Sequence, residues 1–468
     1  MGLVKIIDGS EFKAYFAGVS SGTAADPAVY AIVNEIIAAV RSEGDAAVRR
    51  YATQLFLAGF EKSVPEKFEV PPELAKEAWE RLKITEGDLA SSLVIAADNI
   101  RHFAELQKKQ LVSFEAEIAP GLIAGQRVIP VERAAIYAPG GRFPLISSAL
   151  MGLIPARAAG VRELTLASPP DTNGLPDRRI LAVAHLVGVD RIFALGGAQA
   201  IAALALGTET IPRADLIAGP GNKYVVAAKR MLFGEVGIDL LPGPTDVLII
   251  TDMNAGETGA EKIAEAADLI AADMLAQAEH DPDARARALV PDRGMALLIE
   301  QALEKRLTEL PTAKTARSSL EAGGLIIVYK SRDEALSIAN EIAPEHLELQ
   351  VSTPEPSTER AGASDGSPLA EWIPSLRNYG SLFIGSLAAE ALGDYSAGIN
   401  HTLPTSTSAR FTGGLSVRHF LKTVTTLRCA PSKDYSRALN AAETIARAEG
   451  LAAHAESAAL RHDFVLDK

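Results

Sequence analysis

The sequence predicts an α/β protein with two parallel sheets, each covered by helices on both faces. From about residue 131 onward, short apolar runs typical of buried strands alternate with helical runs. The connections between them are short and often contain glycine or proline. A second, weaker set of alternations runs from residue 251 to about residue 390. Strands that alternate with helices form parallel sheets, so two α/β units are expected.

The elements of the first unit follow one another in a regular order. Gly160 is expected to end its first helix, because glycine is favoured just past a helix C-terminus. The predicted strands are ERAAIYAPGG with its terminal turn, ELTLAS, RIFALGG and ADLIAG, and the predicted helices are ISSALMGLIPARAAGV, RRILAVAHLVGV, AQAIAALALG and KYVVAAKRML. The predicted strand DVLIITD follows them. In the second unit, GGLIIVYK and GSLFIG are the predicted strands.

The order of these elements predicts a division of the chain. Residues 132–245 are expected to form one α/β domain, inserted into a discontinuous α/β domain made of residues 27–131 and 246–412. Both are predicted to be Rossmann-like, doubly wound domains. Residues 1–26 are expected to form an extended N-terminal arm, and residues 413–468 a helical C-terminal tail that forms a dimer.

The regions outside the first unit differ in their apolar spacing and residue composition. Between Asp26 and about Gln110, apolar residues recur with helical spacing, and runs of β-branched residues are few. Residues 353–370 are rich in Pro, Ser, Gly and acidic residues, which predicts a mobile surface loop.

Composition excludes several classes of function. The hydrophobic share of 48% and the charged share of 22% are those of a soluble globular protein. The net charge of −13 disfavours nucleic acid and anionic membranes as partners. Cys429 is the only cysteine, so no disulfide can form within the chain and a cytoplasmic location is expected. Neither a signal peptide nor a membrane-spanning stretch is predicted.

Four glycine-containing turns are candidates for ligand binding. In doubly wound sheets, ligands bind beyond the carboxyl ends of the strands. Glycine lets the backbone approach a phosphate, and a following helix offers free N–H groups. The turns are APGGR (138–142), LGGAQ (195–199), AGPGNK (218–223) and LPGPTD (241–246). The usual dinucleotide and P-loop glycine patterns are absent, so a cleft and ordinary tight turns both remain open.

The stretch ADMLAQAEHDPDA places Gln277 and His280 one helical turn apart. Gln277 continues the apolar stripe of the preceding helix, and a polar side chain at such a position needs a partner. One interpretation is a helix end held by side-chain hydrogen bonds, and the other is half of a metal site. The apolar stripe consists of Ile263, Ala267, Ile270 and Met274.

Other polar residues could complete such a site. Asp394 and His401 lie in a loop-like segment, GDYSAGINHTLPT, of a kind that more often holds a ligand than a core. Taken alone, Glu345–His346 and Glu449/His454 could equally be solvent-exposed. Zinc binds imidazole nitrogen and carboxylate oxygen, so His280, His454 and Asp394 could share one ion with Gln277. Spacing alone does not show that these segments converge.

Nine sequence blocks occur in the order found in one known family. They are IYAPGGRFPLISSALMGLIPARAAGV, LGGAQAIAALALGTETIP, AGPGNKYVVAAKR, GIDLLPGPTDVLIITD, DMLAQAEHD, APEHLEL, GDYSAGINHTLPT, RFTGGLSV and AEGLAAHAES. In these blocks, over nearly its whole length, the chain resembles the histidinol dehydrogenases. The resemblance implies oxidation of L-histidinol to L-histidine through a bound aldehyde, the last two steps of histidine biosynthesis. It also implies reduction of two NAD⁺, one zinc ion per subunit, and a homodimer in which the C-terminal tail completes the partner's site.

The resemblance also implies a role for individual residues. The catalytic pair is Glu345 and His346. The implied zinc ligands are Gln277, His280, Asp394 and His454. The implied substrate contacts are Thr245, Gln277, His280, His346, Asp394, His401, Glu449 and His454. The implied NAD contacts are Tyr137, Gln199 and Asn222.

The chain departs from the family pattern in few places. Thr245 stands where the family usually has Ser, which keeps the hydroxyl. The segment at 252–265 and the loop at 353–370 look longer than usual. The main alternative is a sister NAD-dependent dehydrogenase of the same scaffold that acts on another small alcohol. A zinc hydrolase with Glu345 as base and a non-catalytic binding protein are further alternatives.

Overall fold

The computed structural model describes residues 2–18, 26–56, 67–140, 144–254, 259–351 and 368–462. The strands are β1 (Lys5–Asp8), β2 (Phe114–Ala119), β3 (Leu122–Pro130), β4 (Arg133–Tyr137), β5 (Glu163–Ser168), β6 (Arg191–Ala194), β7 (Leu216–Ala218), β8 (Gly237–Ile238), β9 (Asp246–Thr251), β10 (Arg285–Val290), β11 (Leu325–Val328), β12 (His346–Gln350), β13 (Ser381–Ile384) and β14 (Leu421–Cys429). The helices are α1 (Phe12–Gly18), α2 (Pro27–Glu43), α3 (Asp45–Phe56), α4 (Pro72–Thr85), α5 (Gly87–Lys109), α6 (Ile146–Ala159), α7 (Arg178–Val187), α8 (Gly197–Leu206), α9 (Lys223–Leu232), α10 (Ala260–Ala278), α11 (Arg293–Leu307), α12 (Ala313–Gly323), α13 (Arg332–Ile342), α14 (Pro368–Trp372), α15 (Glu390–Tyr395), α16 (Lys433–Ala448) and α17 (Ala452–Ala459). The surface loop predicted at 353–370 lies outside the described residues up to 367.

Residues 132–245 build a five-stranded parallel sheet in the order β6-β5-β4-β7-β8. Its central strands are buried almost along their length, because helices cover both faces. The predicted strands and helices of this segment are all present, and Gly160 ends α6 in the left-handed conformation. β8, a two-residue edge strand, was not predicted.

The second sheet is six-stranded and parallel, in the order β1-β11-β10-β9-β12-β13. All six residues of β9 are buried, and helices α10 to α13 connect the strands. Residues 2–8 do not form only the predicted extended arm. They include β1, which pairs with β11 as an edge strand of this sheet. Two adjacent apolar residues lie at the centre of the strand and face opposite sides of the sheet, so Ile6 packs against one core and Ile7 is buried in the other.

The helices of residues 27–109 pack differently from the predicted division. α2 and α3 pack against α8 and α9, and α4 and α5 pack against α6 and α7. Their apolar stripes therefore join the two cores on either side of the five-stranded sheet. Assigning residues 27–131 to the other domain was wrong in this respect. An apolar stripe along a helix shows that one face is buried, but it does not identify the sheet against which that face packs.

The prediction of a helical C-terminal region is only partly correct, because the region also contains a strand. β14 pairs antiparallel with β3, which also pairs with β2, in a three-stranded sheet. The run Thr423–Thr426 is β-branched and so favours a strand. Beyond it, α16 and α17 pack mainly against each other. Among the helices in the described part of the chain, none is both long and apolar enough to cross a bilayer.

Candidate functional site

A cavity of about 170 Å³ lies between the two parallel sheets. From the five-stranded sheet come Pro220, which follows β7, and Ser148 at the start of α6. These residues lie at the carboxyl edge of their sheet, as predicted. From the six-stranded sheet come Thr245, just before β9, and Glu345 and His346 at the start of β12. These lie at the amino edge, so the expectation that ligands meet only carboxyl edges does not hold here.

Glu345 is buried and anchored to the end of the neighbouring strand. Its backbone N–H donates to Oδ1 of Asp246 at 3.0 Å, and the N–H of Asp246 donates to its Oε2 at 3.2 Å. The hydroxyl of Thr245 donates to the same carboxylate oxygen. Burial raises the pKa of Glu345 to about 7. The group can therefore change its protonation state near neutral pH, as a general base requires.

His346 is buried among carboxylates. Its Nδ1 lies 3.4 Å from Oε1 of Glu390, and its Nε2 lies 3.6 Å from Oδ1 of Asp394. Burial lowers the pKa of His346, but the charges of Glu390 and Glu345 and the contact with Asp394 outweigh burial and raise it to about 10. A cation bound beside Asp394 would offset part of this negative field and return the pKa toward its ordinary value.

A group of candidate metal ligands lies next to His346. The ligand atoms of His280, Glu390 and Asp394 lie within 4.8 Å of one another, and Nε2 of His280 is 4.0 Å from Oδ2 of Asp394. His280 follows the C-terminus of α10, and Asp394 lies on α15. Gln277, in the last turn of α10, is fully buried. Its amide lies between Thr245 Oγ1, at 2.6 Å, and Oε1 of Glu390, at 2.5 Å.

Glu390 is a site residue that the sequence reasoning missed. It lies four residues before Asp394, so both carboxylates share one face of α15. That spacing in the stretch EALGD could have identified it. Burial raises the pKa of Glu390 to about 8. Asp246 was also missed; it holds Glu345 and is itself paired with buried Arg287 at 3.0 Å.

His401 lines the cavity and is held at both ring nitrogens. Nδ1 lies 2.8 Å from the carbonyl oxygen of Asp394, and Nε2 lies 3.1 Å from Oγ of Ser148. A carbonyl oxygen only accepts, so Nδ1 carries the proton and Nε2 accepts from the serine hydroxyl. Burial lowers the pKa of His401, which favours this neutral form.

The three candidate cofactor residues all lie at the carboxyl edge of the five-stranded sheet. Tyr137 ends β4, and its hydroxyl accepts from the N–H of Gly197 at 3.2 Å. Asn222 caps α9, accepting from the N–H groups of the next turn. Gln199 is fully buried in the first turn of α8, and its amide has no hydrogen-bond partner among the described residues. A buried amide in this state points to a ligand that completes its bonds.

Three of the predicted zinc and substrate residues do not line the cavity. Gln277 instead contacts two residues that do, Thr245 and Glu390. Glu449 follows α16 and His454 lies on α17, and both are exposed. Neither lines the cavity that contains Thr245, His280, His346, Asp394 and His401. Cys429 is exposed at the end of β14 and does not line the cavity either.

Comparison with known proteins identifies the family. The family model described as histidinol dehydrogenase matches residues 20–462. The chain is 43% identical to a histidinol dehydrogenase of Thermus thermophilus over 451 residues, covering 96% of this chain and 98% of the relative. It is 41% identical to one of Methylococcus capsulatus, covering 93% and 92%.

A solved structure extends this similarity to the fold. The crystal structure of histidinol dehydrogenase from Elizabethkingia anophelis matches with a TM-score of 0.85 and 31% identity, over 100% of both chains. The family predicted from the nine sequence blocks is thus confirmed. The chain is an oxidoreductase that belongs to the histidinol dehydrogenase family.

Proposed function

We propose that the protein oxidises L-histidinol to L-histidine through L-histidinal, with zinc and two molecules of NAD⁺ per turnover, as the last steps of histidine biosynthesis. The observation that carries the proposal is the convergence of His346, Glu345 and the His280–Asp394 group on one cavity between the sheets. A single exposed cysteine supports a cytoplasmic location.

The residues present fit a zinc ion. Zinc binds nitrogen and oxygen ligands at about 2.0–2.2 Å, so two atoms on one ion lie about 3 to 4.2 Å apart. The separation of 4.0 Å between His280 and Asp394 is in this range. Gln277 would offer its amide oxygen as a third ligand, and His454 of a second chain would be the fourth. Zinc, when bound, would orient the substrate and stabilise developing negative charge.

The residues also fit a dinucleotide at the carboxyl edge of the five-stranded sheet. The unpartnered amide of Gln199 supports this. A cleft of about 510 Å³ lies at the same edge and is lined by Gly221 and Lys223, the two neighbours of Asn222, but not by Tyr137 or Gln199. The cleft meets the catalytic cavity at Pro242 and Thr245, which line both. NAD⁺, when bound, would accept the hydride in each oxidation. The contacts proposed for it are Tyr137, Gln199 and Asn222.

Two residues of the chain divide the proton transfers. His346 is the proposed base for the alcohol, because its ring reaches the cavity beside the metal group. Glu345 is the proposed base for water in the aldehyde step, since its pKa of about 7 leaves it partly ionised at neutral pH. Thr245 holds the Glu345 carboxylate in place, and both it and His401 are proposed substrate contacts.

The position of the tail supports a shared site. His454 and Glu449 do not reach the cavity of their own chain, although the family resemblance gives both a role there. The tail also exposes apolar side chains, Ile445 by 58% and Leu460 by 57%, which a second subunit could cover. We therefore propose a homodimer in which each tail completes the partner's site.

The proposal is tested by following absorbance at the NADH band with purified protein, NAD⁺ and L-histidinol. NADH should appear with L-histidinol, and a chelator should reduce the rate. No NADH with L-histidinol, but NADH with another small alcohol, would favour the sister dehydrogenase. No NADH with any alcohol would exclude both.

A further inference from the structure

A buried ion pair lies beneath the proposed cofactor site. Lys229 comes from α9 and Asp239 follows β8, and their charged groups are in contact. The two side chains are only 1% and 0% exposed. Charges this deeply buried persist only when partners satisfy them.

Both charges bind the backbone of one glycine. Nζ of Lys229 donates to the carbonyl oxygen of Gly219 at 3.0 Å. The N–H of Gly219 donates to Oδ2 of Asp239 at 2.7 Å. Hydrogen bonds to ionised groups are stronger than neutral ones, so the pair fixes both polar groups of Gly219.

Gly219 begins the turn between β7 and α9, here called the Gly219 turn (residues 219–222). Its φ is +118°, and a Cβ atom would lie 2.1 Å from the carbonyl oxygen of Tyr137. Only glycine allows this approach to the end of β4. The turn continues to Pro220, which lines the catalytic cavity, and to Asn222, which caps α9.

We propose that Lys229 and Asp239 are positioning residues for the cofactor: they hold the Gly219 turn so that Asn222 and Pro220 face the bound dinucleotide. Neither side chain touches substrate or cofactor. The proposal rests on the proposed function, because it needs a dinucleotide at this edge of the sheet. It also explains why charge is kept here, since an apolar pair would fill the space but leave the polar groups of Gly219 unpaired.

The test is the double variant Lys229→Met/Asp239→Leu, which removes both charges and leaves neither uncompensated. The KM for NAD⁺ should rise at least about tenfold, since small displacements of binding groups are costly. Zinc content and the KM for histidinol should stay within about twofold. Hydrogen exchange in the peptide that contains the Gly219 turn should become faster.

A matched control separates positioning from general loss of stability. Leu232→Ala removes a buried side chain from the same helix but leaves both bonds to Gly219 in place. It should lower the thermal stability while leaving the KM for NAD⁺ within about twofold. An equal rise of this KM in both variants, or an unchanged KM in the double variant, would overturn the proposal.

A second variant covers failure of the double variant to fold. Asp239→Asn keeps an oxygen for the N–H of Gly219 but weakens the pair, so the KM for NAD⁺ should rise at least about threefold. An unchanged KM there would also overturn the proposal. If the parent protein forms no NADH from histidinol, the proposed function fails instead. Hydrogen exchange at the Gly219 turn then still shows whether the ion pair of Lys229 and Asp239 holds this turn in place.

Discussion

Nε2 of His346 lies 3.6 Å from Oδ1 of Asp394, so the proposed base and a proposed zinc ligand are direct neighbours. Asp394 also approaches His280 through its other oxygen, Oδ2. One carboxylate therefore faces the base with one oxygen and the metal group with the other. Changes in metal occupancy should reach the chemistry through this residue.

Substitution of a metal ligand should remove metal and activity together. In His280→Ala or Asp394→Ala, bound zinc measured by mass spectrometry should fall well below one per subunit. Turnover should fall at least about tenfold, because each change removes one of few protein ligands. His185→Ala, an exposed histidine on α7, is the matched control and should change neither quantity. Parental turnover by a metal-free His280 or Asp394 variant would contradict the zinc site.

Glu345→Gln should separate the two oxidations. The change keeps the shape but removes the base for water, so histidinal oxidation should slow by about 10²–10⁴ and histidinol oxidation less. In the parent, histidinal oxidation should increase with pH up to about 7 and then level off, because only the ionised carboxylate accepts a proton. In Glu345→Gln, the rate of histidinal oxidation should not show this increase with pH.

His346→Asn is the companion to that experiment. Proton removal is needed in both oxidations, so this variant should slow both substrates by similar factors. Histidinal is supplied directly, and the two rates are compared in each variant. If Glu345→Gln slowed the oxidation of both substrates equally, Glu345 would not be the base that activates water.

Cys429→Ala should retain activity within about twofold, because the exposed thiol lies outside the cavity and no thiohemiacetal is proposed. Steady-state rates with both substrates provide the measurement. Mass spectrometry of the parent with histidinal should show no substrate adduct on Cys429. Detection of such an adduct would require a different mechanism for aldehyde oxidation.

Mixing two inactive variants should restore activity if the site is shared. In a mixed dimer of His280→Ala and His454→Ala, one site collects both lesions and the other collects neither. With random exchange of equal amounts, about a quarter of the parental activity should return. Each variant alone is the control, and mass measurement confirms exchange. Activity that stays at the level of the separate variants would place the tail on its own chain.

The sequence predicted the five-stranded sheet better than the rest of the fold. Its strands are apolar runs with short connections, so burial on both faces left an unambiguous pattern. β10 was missed, and its run RARALV carries Arg287, whose charge is compensated by distant Asp246. β14 was missed because its residues are mostly exposed or half-buried and give little apolar signal.

The candidate site was predicted mainly from the family blocks. Spacing identified Gln277 and His280 as neighbours, but the approach of α15 to α10 depends on tertiary packing that no local pattern contains. The spacing of Glu390 and Asp394 on α15 marks a shared helix face, but the contacts of Glu390 with His346 and Gln277 depend on the same tertiary packing. The roles of all the predicted site residues remain predictions. Six of them also lie outside the lining of the cavity: Tyr137, Gln199, Asn222, Gln277, Glu449 and His454.

The pairing of β1 with β11 has a consequence for the order of assembly during translation. Lys5 lies beside Leu325, so β1 must wait for a neighbour that is made 320 residues later. The five-stranded sheet is complete once Ile238 has emerged. Chains grow from the N-terminus and contacts distant in sequence form slowly. The nascent chain can therefore form its five-stranded sheet first, while β1 still has an unpaired edge that chaperones can shield.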